Sequence, residues 1–265
     1  MVTHRTFISV SALLFAASAT VTIVWCGSMS TMGGMEMPGG WTMSMTWMRM
    51  PGQTWPGAAA SFLGMWMVMM VAMMLPSLMP MLLRYRQAVV RRRAVNGLTV
   101  RQLDGLTAVV SAGYFSVWTV LGMAAFPLGI ALAEIEMGSP AIASAVPVVV
   151  GLVVLIAGAL QFTAWKARQL ECCREARTCG IASPVNAATA WRHGLRLGLQ
   201  CSACCGSLMA VLMVIGVMDL RAMALVTAAI TLERLTPSGQ RVARAIGIAV
   251  VGAGLFVIAR ASLNL

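Results

Sequence analysis

Apolar runs of about 20 residues recur along this chain, and they restrict the fold more than any other feature. Within a bilayer core of roughly 30 Å, such a run forms a helix because every backbone polar group must be satisfied internally. Of 265 residues, 59% are hydrophobic and only 10% are charged, which is unlike a water-soluble domain. We therefore predict an all-α, polytopic membrane helix bundle. Its five long spans are 7–25, 58–83, 106–133, 141–165 and 197–218.

Two further segments complete a prediction of about seven transmembrane helices. Residues 220–235 are short, about 24 Å as a helix, and residues 242–263 carry arginines near both ends. With the N-terminus inside and the C-terminus outside, sixteen Lys and Arg residues are cytoplasmic and three are not. A re-entrant 220–235 segment would give fourteen against five, a poorer fit to the positive-inside bias. The first span could instead be a cleaved signal peptide, although its apolar run continues to Trp25.

The chain, 1–265, is predicted to form a single integral membrane domain of the cytoplasmic membrane, in contact with the lipid bilayer. A Met-rich extracytoplasmic loop occupies 26–57, and basic cytoplasmic loops occupy 84–103 and 166–196. The net charge of +11 is carried mainly by the cytoplasmic segments, where it orients the spans. We therefore expect no nucleic-acid partner.

Composition also excludes several cofactor classes. Two histidines, His4 and His193, and eight acidic residues are too few for a bis-histidine haem, a dicarboxylate di-iron site or a His-ligated catalytic zinc. We therefore expect no haem. No nucleotide-binding loop is visible either, so we expect no bound nucleotide and no ATP-driven pumping by this chain. The remaining chemistry is that of sulfur, since the chain has seven Cys and 23 Met.

The 26–57 loop combines many methionines with glycine. Thioether sulfur is a soft ligand that selects Cu(I), and closely spaced Met on a flexible chain can gather around one ion. We predict that this loop captures copper, the alternative being an apolar loop that lies on the membrane surface. The candidate ligands are Met35, Met37, Met43 and Met45.

The second span carries two methionine-containing stripes, each with residues at i, i+4 and i+8 on one side of the helix. Flexible thioethers also fill gaps in membrane helices, so simple packing is an alternative explanation. Pro76 and Pro80 predict a kink or a break near the cytoplasmic end. The candidate metal ligands in this span are Met69, Met70, Met73 and Met74.

The fifth span contains the most specific constellation in the chain, three thiols at i, i+3 and i+4 followed by methionines on the same face. A soft metal is favoured over structural zinc, which prefers four ligands from two separated pairs. Met70 and Cys205 should lie about 12 and 13 Å above the inner boundary, so the two helices could share an ion. The candidate ligands are Cys201, Cys204, Cys205 and Met209.

The cytoplasmic loop before the fifth span holds Cys172, Cys173 and Cys179 among cationic residues, which favour the thiolate form. These cysteines either form an exit site for metal or have no role in metal binding. Their irregular spacing in the sequence does not decide between the two. Glu233, beside Arg234, is expected to form a local ion pair or to lie at a helix end.

Several of these strings resemble a family of bacterial integral membrane proteins described as predicted metal-binding, the domain of unknown function 2182. The family pattern is matched by Ala-Met-Met-Leu-Pro-Ser at 72–77 and by Cys-x-x-Cys-Cys at 201–205. Gly-x-Met at 216–218 and Glu-basic-Leu-x-Pro at 233–237 match it as well. The resemblance covers about residues 65–259 and implies a membrane protein with a metal site, but no reaction.

Together these features predict a non-enzymatic, membrane-embedded copper-handling protein. The Met loop would take Cu(I), and the Met stripe would pass it to the Cys cluster. From there it would cross the membrane or be donated to a membrane or extracytoplasmic metalloprotein partner. Two alternatives stay open: a membrane thiol redox protein, and a subunit of a larger complex in which Met only packs.

Overall fold

The computed structural model describes residues 2–30, 34–37, 41–43, 47, 52–93, 99–175 and 186–263. These ranges contain eight α-helices and a two-stranded antiparallel sheet, so the helical class is confirmed. In chain order the elements are α1 (Val2–Ser30), β1 (Met35–Met37), β2 (Trp41–Met43), α2 (Trp55–Arg93), α3 (Val100–Gly138), α4 (Pro140–Leu160), α5 (Ala164–Glu175), α6 (Ala187–Ile215), α7 (Leu220–Leu235) and α8 (Gly239–Leu263).

Six helices of the described chain are long and apolar enough to cross a membrane: α1, α2, α3, α4, α6 and α8. Their outer faces are apolar as well, since Leu13, Val120 and Phe256 are each more than half exposed. Such surface is unfavourable in water and suits contact with lipid tails. The fold is thus consistent with a multi-pass membrane protein. Helix α7, with 16 residues, is about 24 Å long.

Helices α2 and α6 form the interior of the bundle. Helix α2 contacts α1, α3 and α7, while α6 contacts α3, α4, α5 and α7. The largest buried cluster combines Met70 and Met74 of α2 with Cys201 and Cys205 of α6. The two sulfur-rich helices of the sequence therefore meet in the largest buried cluster of the bundle.

A close approach of α3 and α6 fixes the register between them. Gly113 faces Gly194, and a Cβ atom on Gly194 would collide with the carbonyl oxygen of Val110. One turn along α6, a Cβ atom on Gly198 would lie 2.8 Å from the carbonyl oxygen of Tyr114. Small residues at such an interface let two membrane helices approach backbone to backbone. This contact places Tyr114 opposite the next turn of α6.

A short turn folds α7 back beside α6. Gly216 ends α6 with a φ of +136°, a conformation that glycine adopts without steric cost. Asp219 begins α7 by accepting hydrogen bonds from the backbone N–H groups of Arg221 and Ala222. The turn folds α7 back along α6, so the end of α7 reaches the middle of α6, where Arg234 contacts Cys201.

Helices continue through the two prolines at which the sequence predicts a kink or a break, and they extend into segments predicted as loops between spans. Helix α2 runs without a break through Pro76 and Pro80, because a membrane helix tolerates proline where neighbouring groups satisfy its backbone. Helical structure also enters segments predicted as loops, since α2 continues to Arg93 and α5 spans Ala164–Glu175. Hydropathy marks only the part of a helix that lies in hydrocarbon, not its polar extensions.

The α3–α6 contact predicts the effect of adding bulk at Gly194. In a Gly194→Leu variant we expect a loss of about 1–3 kcal/mol of stability, the usual cost of overpacking, measured by detergent-induced unfolding. Gly206→Ala on the same helix is the control, because its added Cβ meets no atom within 4 Å. Equal stability of both variants would contradict the close approach.

Candidate metal centre

The predicted ligands on α2 and α6 all point into the protein. The buried members are Met69, Met70, Met73 and Met74 on α2 and Cys201, Cys204, Cys205 and Met209 on α6. All but Cys204 belong to the largest buried cluster. Tertiary packing therefore brings the two sulfur stripes together in the interior of the bundle.

Three of these residues form the sulfur centre, which we define as Cys201, Cys205 and Met74. The Sγ atom of Cys201 lies 3.9 Å from Sγ of Cys205 and 3.9 Å from Sδ of Met74. The two cysteines share a helical face because they are four residues apart. The predicted depths placed Met70 level with Cys205, whereas the observed contact lies one helical turn away, between Met74 and Cys201.

Cys204 faces a different neighbourhood. It belongs to a separate buried cluster with Leu170 and Cys173 of α5 and Ala243 of α8. Successive helical residues are rotated by about 100°, so adjacent cysteines point to different partners. In the described part of the chain, no group of three or more His, Cys, Asp or Glu residues is arranged to hold a metal ion. A three-ligand site therefore needs methionine.

Two polar side chains contact the sulfur of Cys201. The hydroxyl of Tyr114, on α3, donates a hydrogen bond to it at 3.0 Å. The guanidinium of Arg234, on α7, donates another at 3.0 Å, and a third bond at 3.0 Å to the hydroxyl of Ser77. Arg234 also approaches the sulfur of Met81 at 3.6 Å. Together with Met74 of α2, these two side chains contact Cys201 from three other helices.

Arg234 brings a positive charge into this buried site. Its exposed fraction is 5%, and within the described ranges no carboxylate lies at ion-pairing distance from it. A buried charge is costly unless it is paired, so this guanidinium favours negative charge on its nearest partner. Arg234 and Tyr114 were not among the site residues predicted from the sequence. The available signal was an arginine within a membrane-associated helix, which is expected to face the interior.

Glu233 does not pair with the adjacent Arg234. Its Oε2 atom lies 2.8 Å from Nζ of Lys166 on α5, and both side chains are 1% exposed. Lys166 also donates a hydrogen bond of 2.6 Å to the backbone carbonyl of Cys204. Neighbouring residues of α7 point in different directions, so the local ion pair expected from sequence is replaced by one between α5 and α7.

Cys173 is the second thiol of the Cys204 cluster. It is 2% exposed, whereas the adjacent Cys172 is exposed; Cys179 lies outside the described residues. The pKa of the Cys173 thiol is raised above its usual value, mainly by a hydrogen bond to Cys204 and secondly by burial. Cys173 therefore keeps its proton unless a bound metal displaces it.

The methionines of the predicted capture loop lie in a different region. Strands β1 and β2 pair Met35 with Met43 and Met37 with Trp41, and Trp41 donates a hydrogen bond to the Ala143 carbonyl. Met43 is buried, Met37 is half-buried and Met35 is exposed. Met45 falls outside the described residues.

Comparison with known proteins bears on the same region of the chain. Residues 63–257 match the family model PpoB2, which is described as a copper chaperone. This range covers most of α2 and all of α6 and α7, and thus the whole sulfur centre with Tyr114 and Arg234. No curated protein and no solved structure matches the chain. The prediction of copper handling is confirmed at the family level, and the chain belongs to the PpoB2 copper chaperone family.

Proposed function

We propose that this protein is a membrane-embedded Cu(I) chaperone that holds its ion between Cys201, Cys205 and Met74. The geometry of the sulfur centre carries the proposal: both neighbouring sulfurs lie 3.9 Å from Sγ of Cys201. With metal–sulfur bonds of about 2.3 Å, as in zinc thiolates, two ligands of a trigonal ion lie about 4 Å apart. Two of the three sulfur–sulfur distances of such a site are therefore already of the required length.

The ligand chemistry supports copper as the cargo. Two thiols and one thioether are soft ligands, which favour Cu(I) over harder divalent cations. The site is buried among apolar helices, so water does not compete for the ion. Membership in a copper chaperone family supports the same cargo. Ag(I), which shares this softness, is a natural probe of the site.

Charge balance supports Cys201 and Cys205 as the two thiolates. One Cu(I) ion and two thiolates carry a single net negative charge, which is unfavourable in a low-dielectric interior. Arg234 lies 3.0 Å from Cys201 and supplies one compensating positive charge. The loaded site would then be electrically neutral, and the guanidinium would keep a partner in its buried position.

The other buried methionines would serve as transient ligands on the way to this site. Met69, Met70 and Met73 line α2 above Met74, and Met209 extends the Cys201–Cys205 face of α6. The start of α2 at Trp55 is about 28 Å along the helix from Met74. Copper captured by the Met hairpin, β1–β2, would move along this stripe by exchanging thioether ligands.

We place the protein in the cytoplasmic membrane as a single domain with seven spans, α7 being the sixth. The positive-inside bias then puts the hairpin outside and α5 on the cytoplasmic side. Copper would enter from the extracytoplasmic side and pass across the membrane, or go to a metalloprotein partner at either surface.

The sulfur centre predicts which variants lose copper. Cys201→Ser and Cys205→Ser should each abolish tight Cu(I) binding, and Met74→Leu should weaken it at least tenfold, measured by competition with a chromogenic Cu(I) chelator. Met79→Leu, also on α2 but on a different face, is the matched control. Wild-type affinity in Cys201→Ser would refute the site.

Arg234 predicts a charge effect without loss of a ligand. Arg234→Gln should reduce Cu(I) affinity by about 10- to 100-fold, as expected for a group that supports metal ligands, while Arg234→Lys should lose less. Arg241→Gln removes an exposed cation from the neighbouring helix and should change nothing. Equal Cu(I) affinities of the wild type and the Arg234→Gln variant would exclude this role of Arg234.

The Met hairpin predicts a kinetic effect. Replacing Met35, Met37 and Met43 together by Leu should slow Cu(I) loading in stopped-flow measurements and leave the equilibrium affinity of the sulfur centre unchanged. Thr42→Ala in β2 is the control, because it alters the strand without removing sulfur. An unchanged loading rate would contradict capture by the hairpin.

A further inference from the structure

Two buried thiols have no role in the proposed site. Cys173 of α5 and Cys204 of α6 are 2% and 1% exposed, and they share one buried cluster. They are 31 positions apart in sequence, so only the packing of α5 against α6 brings them together. Two buried thiols in one cluster supply the soft ligands that Cu(I) prefers.

We infer that Cys173 and Cys204 form a second Cu(I) site, which receives the ion from Cys201 and Cys205. The inference rests on the proposed function, because it needs copper at the sulfur centre. Binding of Cu(I) here forms two copper–sulfur bonds and releases two thiol protons. In the transfer, the two copper–thiolate bonds and the copper–thioether bond to Met74 break, and two copper–thiolate bonds form. The two protons move from the receiving thiol pair to the releasing one, so no electron is gained or lost.

The position of Cys204 makes such a transfer short. It lies three residues after Cys201 and one before Cys205, within a single turn of α6. The sulfur centre faces α2 and α3, whereas Cys204 faces α5 and α8. An ion that moves from Cys205 to Cys204 therefore passes around one helix from the interior of the bundle toward α5.

The polar surroundings of the second pair favour weaker binding. Lys166 lies beside Cys204, but its charge is already matched by Glu233 at 2.8 Å. At the sulfur centre Arg234 donates a hydrogen bond to Cys201, whereas the charged group beside the second pair is Lys166, already neutralised by Glu233. Two thiolates around copper are therefore compensated less fully here. The second pair thus suits release, and the exposed Cys172 next to Cys173 marks the surface that the ion would reach.

The test is an anaerobic Cu(I) titration of the full-length protein in detergent, after reduction and a count of seven free thiols. The readout is the ultraviolet charge-transfer band of thiolate-bound Cu(I), to which thioether sites do not contribute. The wild type should bind two equivalents, the second more weakly. Cys173→Ser and Cys204→Ser should each lose only the weaker equivalent, and the double variant should lose no more.

Cys172→Ser is the matched control, since it removes a neighbouring exposed thiol and should retain both equivalents. The tight equivalent that remains in Cys173→Ser and Cys204→Ser shows that each variant is folded. Two equivalents in Cys173→Ser, or loss in Cys173→Ser but not in Cys204→Ser, would overturn the second site. A single equivalent in the wild type, removed by Cys201→Ser, would overturn it and leave the proposed function intact. No copper in the wild type would overturn both.

Discussion

A buried guanidinium organises the interior of this bundle. Arg234 of α7 donates hydrogen bonds to Ser77 of α2 and to Cys201 of α6, and approaches the sulfur of Met81. In a buried, low-dielectric interior these acceptors are hard to replace, because an unpaired charged group there costs several kcal/mol. The three helices that carry the arginine and its partners are therefore held in one arrangement.

The approach of α3 to α6 is the second constraint on the same site. Glycines at the contact allow backbone-to-backbone packing, which puts the Tyr114 hydroxyl 3.0 Å from Cys201. Tyr114 and Arg234 reach the thiol from different helices, so its position is fixed before any ion arrives. Preorganisation of this kind lowers the cost of binding a metal.

The three cysteines of α6 lie within about one helical turn but face two different environments. Cys201 and Cys205 face methionine, tyrosine and arginine, while Cys204 faces a thiol of α5 near the Lys166–Glu233 pair. The buried charges differ accordingly: one side carries a free positive charge and the other a neutral ion pair. This asymmetry would make the first thiol pair the tighter site and the second the pair from which the ion is released.

The division between sequence and tertiary structure follows from the range of the interactions involved. Hydropathy, helical spacing and the softness of sulfur are local properties. The helical class, the sulfur stripes of α2 and α6 and the choice of copper could therefore be predicted from the sequence. Cys204 looked equivalent to Cys201 and Cys205 because all three lie within five residues, and Arg234 looked like a topogenic charge. The packing of the helices was needed to show that Met74 rather than Met70 meets the cysteines, that Arg234 faces Cys201, and that Cys173 joins Cys204. These pairings depend on the rotation and depth of each helix, which close packing sets and a single helix does not encode.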